Sequence, residues 1–116
     1  MQIVFLVVVL IASVARADAG DVGARVYAER CSGCHGDDGR GDGPAAAALV
    51  PKPRNLRDAS FWHDRSSASI ATVVRKGKPG TMMAPFEGTL TDAEIDAVVE
   101  YVRRFDPSSS NGRATP

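Results

Sequence analysis

The chain is 116 residues long, with 14 basic and 14 acidic side chains and a formal net charge of zero. That length holds one domain and no more; the overall charge is uninformative by itself, and no nucleic-acid partner is expected. With two cysteines in all, Cys31 and Cys34, the chain cannot build a four-thiolate zinc site.

Residues 3–14 form an apolar run interrupted only by Ser13, and Ala15-Arg16-Ala17 then offers small residues where a signal peptidase reads. The run is shorter than the roughly 20 apolar residues that a membrane span takes. Residues 1–17 are therefore expected to be a secretory signal peptide. The n-region, Met1-Gln2, lacks the usual basic charge, and an uncleaved membrane anchor is the competing reading. Cleavage after Ala17 leaves residues 18–116, with 13 basic and 14 acidic side chains and a formal charge of −1. A chain of that size buries a modest fraction of its surface, so a large prosthetic group in the core would help it considerably.

Three segments read as helices. The first runs from about Asp21 to Cys34, with Val22, Val26, Tyr27 and Cys31 on or near one stripe. The second covers Ser67–Lys76, with Ser66 as its cap, Gly77 as its stop, and Ile70, Val73 and Val74 together. The third opens on the capping box Thr91-Asp92-Ala93-Glu94 and continues with Ile95, Val98, Val99, Val102 and Phe105 at helical spacing. Arg103 and Arg104 sit in its last turn, where cations favour the helix dipole, and Asp106-Pro107 ends it. Between helices lie a glycine-rich loop from Gly36 to Pro44, a stiff Pro51-Lys52-Pro53 segment and a Lys78-Pro79-Gly80 turn. Sustained alternation is absent, so no sheet is expected. One domain over residues 18–106 follows, with residues 107–116, PSSSNGRATP, as a disordered tail.

Cys31-Ser32-Gly33-Cys34-His35 carries the chemistry. Two thiols three residues apart at a helix end can reach the two vinyl groups of a haem, and a histidine directly after the second can ligate its iron. A thioredoxin-like pair needs a βαβ context that this chain lacks. A zinc site would have to recruit His63 from far along the chain. A disulfide closing so short a loop would stabilise little. Covalent attachment of one haem c through Cys31 and Cys34, with His35 as axial ligand, is the reading that remains. A soft thioether suits the sixth position, and the methionines beyond the leader are Met82 and Met83, both in the loop Gly80–Phe86.

With these residues in view, the sequence resembles the monohaem class I cytochrome c family, in particular its short bacterial periplasmic members. The resemblance spans nearly all of residues 20–105. It is carried by Gly23 and Tyr27 before the Cys31–His35 motif, by Val98 and Tyr101 on the last helix, and by the Gly36–Pro44 loop. It implies an all-α cytochrome c fold, in which three main helices and long loops surround one covalent haem. Met83-Ala84-Pro85-Phe86 matches the setting of the family's ligand methionine, which implies Met83 as ligand and leaves Met82 as the alternative. Pro53-Arg54-Asn55-Leu56 resembles the segment whose proline carbonyl accepts a hydrogen bond from the ligand histidine, with Leu56 against the haem; Pro51 could fill the proline's role. Trp62 is expected on the haem edge or a propionate, and Arg75 and Lys76 near a propionate. His63 reads as a surface residue, and Asp37 and Asp38 as solvated loop positions.

These expectations converge on an exported, periplasmic, monomeric one-electron carrier without catalytic chemistry of its own. Its residues 52–78 are mostly basic and its residues 87–100 acidic, which suits electrostatic docking to redox partners. Two other readings stand beside it: an electron-transfer subunit of a larger oxidoreductase, and a haem enzyme or gas sensor with an open distal position.

Overall fold

Asp18 opens the first helix by accepting the Asp21 N–H at 2.8 Å, so α1 (Ala19–Arg30) starts two residues earlier than its apolar stripe predicts. The structure, a computed structural model, describes residues 18–109 together with Val9 and Ile11. The leader, apart from those two residues, and residues 110–116 lie outside the described residues. Helix α1 stops at Cys31, and a separate turn, α2 (Ser32–His35), follows. The expected single helix over 21–34 is thus broken. The Ser32 hydroxyl donates to the Ala28 carbonyl at 2.9 Å, the acceptor that a continuing helix would have given to the Ser32 N–H.

After a short 3₁₀ turn at Ala46–Ala48, α3 (Ala59–Trp62) forms on the Asp58 cap. One turn is too short to show periodicity, and sequence reasoning missed it. Helix α4 (Ser67–Lys76) runs between the boundaries expected for it, from the Ser66 cap to Gly77. Helix α5 (Asp92–Arg103) opens on the predicted capping box, with the Thr91 N–H donating to Glu94 and the Glu94 N–H to Thr91, each at 3.1 Å. Residues 107–109 continue as a turn closed on Asp106, whose carboxylate accepts both the N–H and the hydroxyl of Ser108. No strand forms among the described residues, and none of their helices is long and apolar enough to cross a membrane.

The core is the crossing of α1 and α5. Tyr27, Val26, Ile95 and Val98 are its most buried large side chains. The crossing is close because Gly23 has no side chain: a Cβ there would collide with the Ala97 carbonyl and stand 3.0 Å from the Tyr101 Cβ. Tyr27 packs on Tyr101 with ring centroids 5.2 Å apart and on Phe105 at 5.4 Å. Helix α4 packs on α5 and extends the apolar wall with Ile70 and Val74.

Candidate functional site

The Cys31–His35 turn is held from both sides by main-chain bonds. Gly41, Gly43 and Ala45 donate in turn to the carbonyls of His35, Cys34 and Gly33, at 2.8, 3.0 and 2.9 Å. The glycine-rich loop therefore folds back over the motif and satisfies carbonyls that the end of α2 leaves open. Tyr27 ties the same turn to the core, its hydroxyl donating to the Gly36 carbonyl at 2.6 Å. Burial raises the Tyr27 pKa, so the phenol remains a donor across the physiological range.

This turn lines a cavity of about 1100 Å³, just above the usual range for small-molecule sites and large enough for a bulky prosthetic group. Cys31, Cys34 and His35 contribute to its lining, as do Met82 and Met83, with apolar surface from Leu56, Phe61, Ile70, Val74, Val98 and Val102. Burial, with a smaller contribution from Cys34, pushes the Cys31 thiol up to about 11. A reactive Cys-x-x-Cys redox pair depends on a lowered thiol pKa, which burial denies Cys31. Burial also lowers the His35 pKa, against the opposing effect of its hydrogen bond to the Arg54 carbonyl. A neutral imidazole is the form that ligates iron.

The His35 Nδ1 lies 3.2 Å from the Arg54 carbonyl oxygen. With Nδ1–H donating there, Nε2 carries the free lone pair. This corrects the expectation that the Pro53 carbonyl, or that of Pro51, takes the bond. The Pro53 carbonyl is turned onto Gly41, where a side-chain carbon would lie 2.7 Å from it, and the next carbonyl along the chain reaches the histidine. Pro53 itself lines the cavity.

Leu56 is buried on the cavity wall, as expected. Trp62 is not on that wall. It lies in the core, its indole N–H donating to the Leu56 carbonyl at 2.6 Å and the Arg103 guanidinium 5.6 Å from its ring. In the one-turn helix α3 the cavity face falls to its neighbour Phe61, which sequence reasoning passed over. Two arginines sit over the Phe61 ring, Arg65 at 4.2 Å and Arg54 at 5.3 Å, and both line the cavity. Arg75 and Lys76, expected near a propionate, are used elsewhere: Arg75 pairs with Asp92 at 3.0 Å and Lys76 with Glu87 at 2.9 Å. His63 is exposed beside Asp64, at 3.1 Å, and Asp37 and Asp38 are exposed, in line with the surface roles expected of them.

The donor set fits a haem. Two thiols and an imidazole of set tautomer stand on one turn, two thioethers share the same cavity, and the walls between are apolar. No group of three or more His, Cys, Asp or Glu that could hold a bare metal ion occurs among the described residues.

Fold and site together define a haem-carrying electron-transfer domain. The chain belongs to the cytochrome c family, which it matches over residues 21–106. It is 32% identical over 80 residues to a cbb3-type cytochrome c oxidase subunit FixP of Bradyrhizobium sp., covering 69% of this chain and 25% of that protein. It is 34% identical over 94 residues to a dihydro-heme d1 dehydrogenase of Pseudomonas aeruginosa, covering 80% of this chain and 17% of that protein. The solved KustC0563 c-type cytochrome aligns with a TM-score of 0.59 at 34% identity, over 72% of this chain and 95% of that one. The reducing HAO-like protein complex Kustc0457/Kustc0458 of Kuenenia stuttgartiensis aligns with a TM-score of 0.69 at 25% identity, over 83% of this chain and 46% of that one. The chain thus spans a quarter or less of the length of these two curated relatives. The fold is the all-α cytochrome c fold, and the prosthetic group is covalently attached haem c, with Cys31 and Cys34 the chain's two cysteines.

Proposed function

We propose that this chain is a periplasmic one-electron carrier, exported by the leader 1–17, whose haem is ligated by His35 and Met83. The observation that carries the reading is the single cavity lined both by His35, with Nδ1 engaged at Arg54, and by the half-buried Met83. Met82, at 71% exposure, is the poorer candidate. The bound haem supplies reversible one-electron chemistry. The chain's own residues set its conditions: Cys31 and Cys34 anchor it, and the Arg54 carbonyl orients His35 and raises its basicity. Leu56, Phe61, Ile70 and Val98 exclude water, and a thioether ligand together with burial favours the reduced form and raises the potential. Two protein ligands leave no iron position open to a substrate, so the domain has no catalytic chemistry of its own.

Partners are redox proteins that dock at the cavity mouth. Arg30, Lys52, Arg54, Arg65 and Lys78 line it, with Asp64 as the one carboxylate, and none of these five cations is in an ion pair among the described residues. The acidic residues Asp92, Asp96 and Glu100 lie on α5 and do not line the cavity. This asymmetry favours fast, salt-sensitive encounters with an acidic surface, and a freely diffusing monomer suits that use.

A second reading, a haem subunit of a larger oxidoreductase, is favoured by the oxidase-subunit relatives of which this chain covers only a part. The two separate by gel filtration of the native extract: a free carrier elutes as a monomer, a subunit with its complex. The first test of the site is the optical spectrum of the exported holoprotein. A weak long-wavelength band of thioether-bound ferric haem is expected, lost in Met83→Ala and kept in Met82→Ala. Ready binding of carbon monoxide to the untreated reduced protein would instead mean an open iron position and would favour an enzyme or sensor.

A further inference from the structure

We propose that Thr81 is the positioning residue that selects Met83 over the adjacent Met82, by fixing the register of the loop between α4 and α5; the proposal rests on the reading of Met83 as ligand. The two methionines have identical side-chain chemistry and both line the cavity. Their own side chains cannot explain a choice between them. A slip of one residue along this loop would exchange which methionine occupies each position.

The main chain distinguishes them. The Met83 N–H donates to the Thr81 hydroxyl oxygen at 3.1 Å, and that hydroxyl donates to the Lys78 carbonyl at 2.7 Å. The Lys78 N–H donates back to the Met83 carbonyl at 3.2 Å. Both polar groups of the Met83 backbone are therefore held on the 78–81 turn, and one hydroxyl bridges the two ends. No hydrogen bond of the Met82 main chain occurs among the described residues.

The rest of the loop has little freedom to compensate. Gly77, with φ +71°, lies so close to it that a Cβ would be 2.7 Å from the Met83 carbonyl oxygen and 2.9 Å from the Pro85 nitrogen. Its far end is tied to α4 by Phe86 N–H to the Val74 carbonyl at 3.0 Å and Glu87 N–H to the Arg75 carbonyl at 3.2 Å. With both ends anchored, the position of the methionines between them is decided at the Thr81 bridge. Valine keeps the shape of threonine and removes both bonds of the hydroxyl, leaving the Met83 N–H without its acceptor.

The test uses the haem-loaded protein with Thr81 as Thr, Val or Ser, each combined with Met82→Leu or Met83→Leu, and reads the band of thioether-bound ferric haem. With Thr81 intact, Met83→Leu abolishes the band. In Thr81→Val, Met83→Leu regains a band through Met82, and with both methionines present the ratio of Met83-bound to Met82-bound haem falls roughly fivefold, the size of one net hydrogen bond. Thr81→Ser restores the original dependence. A band in Thr81→Val that depends wholly on Met83 overturns the role of Thr81 and leaves the ligand reading standing. A band that survives Met83→Leu with Thr81 intact overturns the ligand reading, and the proposal with it. Hydrogen exchange on the unaltered holoprotein gives an answer even if Thr81→Val fails to fold: the Met83 amide is expected to be protected and the Met82 amide not, and an unprotected Met83 amide overturns the proposal.

Discussion

Tyr27 joins the haem-binding turn to the helix crossing through one side chain. Its ring fills the core against Tyr101 and Phe105, and its hydroxyl reaches the Gly36 carbonyl. Tyr27→Phe keeps the ring and removes the bond. The Gly36 carbonyl also accepts the Gly39 N–H at 3.1 Å, so it is not left bare. The expected loss is therefore about 1 kcal/mol, the net value of one hydrogen bond, measured by denaturant titration of the holoprotein. Gly23, one turn earlier on the same face of α1, is its counterpart. Gly23→Ala drives a methyl group into the Ala97 carbonyl and is expected to cost about 1–3 kcal/mol by overpacking, read in the same titration.

Among the elements, α5 has the most local support. The Thr91–Glu94 box satisfies two open donors, and Thr91→Ala is expected to cost about 1 kcal/mol. Glu94 has its pKa lowered, chiefly by the hydrogen bond from the Thr91 backbone N–H. A carboxylate whose folded pKa lies below its unfolded value contributes stability above the unfolded value, about 4.3. That contribution is lost as the pH falls through the lowered folded value. Melting curves at pH 7 and in acid should therefore show a stability loss on acidification that shrinks in Glu94→Gln, a variant with no carboxylate to protonate. The α4 end is tied differently: its cations Arg75 and Lys76 bridge to Asp92 and Glu87, holding the two ends of the segment that leads into α5.

At the scale of the whole molecule, five cations without an ion pair among the described residues line the cavity, and Asp92, Asp96 and Glu100 of α5 do not. Exposed charges act over about a Debye length, roughly 8 Å at physiological ionic strength. Lys52→Glu combined with Lys78→Glu is expected to slow oxidation of the reduced protein by ferricyanide, an anionic probe. It should also flatten the salt dependence of that rate, as stopped-flow measurements at two ionic strengths would record. An unchanged rate would mean that encounter occurs elsewhere on the surface.

Much of this protein is legible from the sequence because its strongest signals are local. The spacing of Cys31, Cys34 and His35 is a requirement on one turn of chain, and the Thr91–Glu94 box and the Ser66 cap act within three residues. The all-α fold follows from periodicity, whereas the crossing at Gly23 and Tyr27 comes from the resemblance to the cytochrome c family. The tertiary structure alone decided where segments distant in sequence meet. It set His35 on the Arg54 carbonyl, 19 residues away, and turned the Pro53 carbonyl onto Gly41. It buried Trp62 behind the cavity wall and put Phe61 on it, because in a single helical turn the wall is chosen by packing and no stripe announces it. It committed Arg75 and Lys76 to ion pairs with residues 17 and 11 positions on. It also placed the two adjacent methionines differently, Met83 half-buried with its main chain bonded to the 78–81 turn and Met82 exposed.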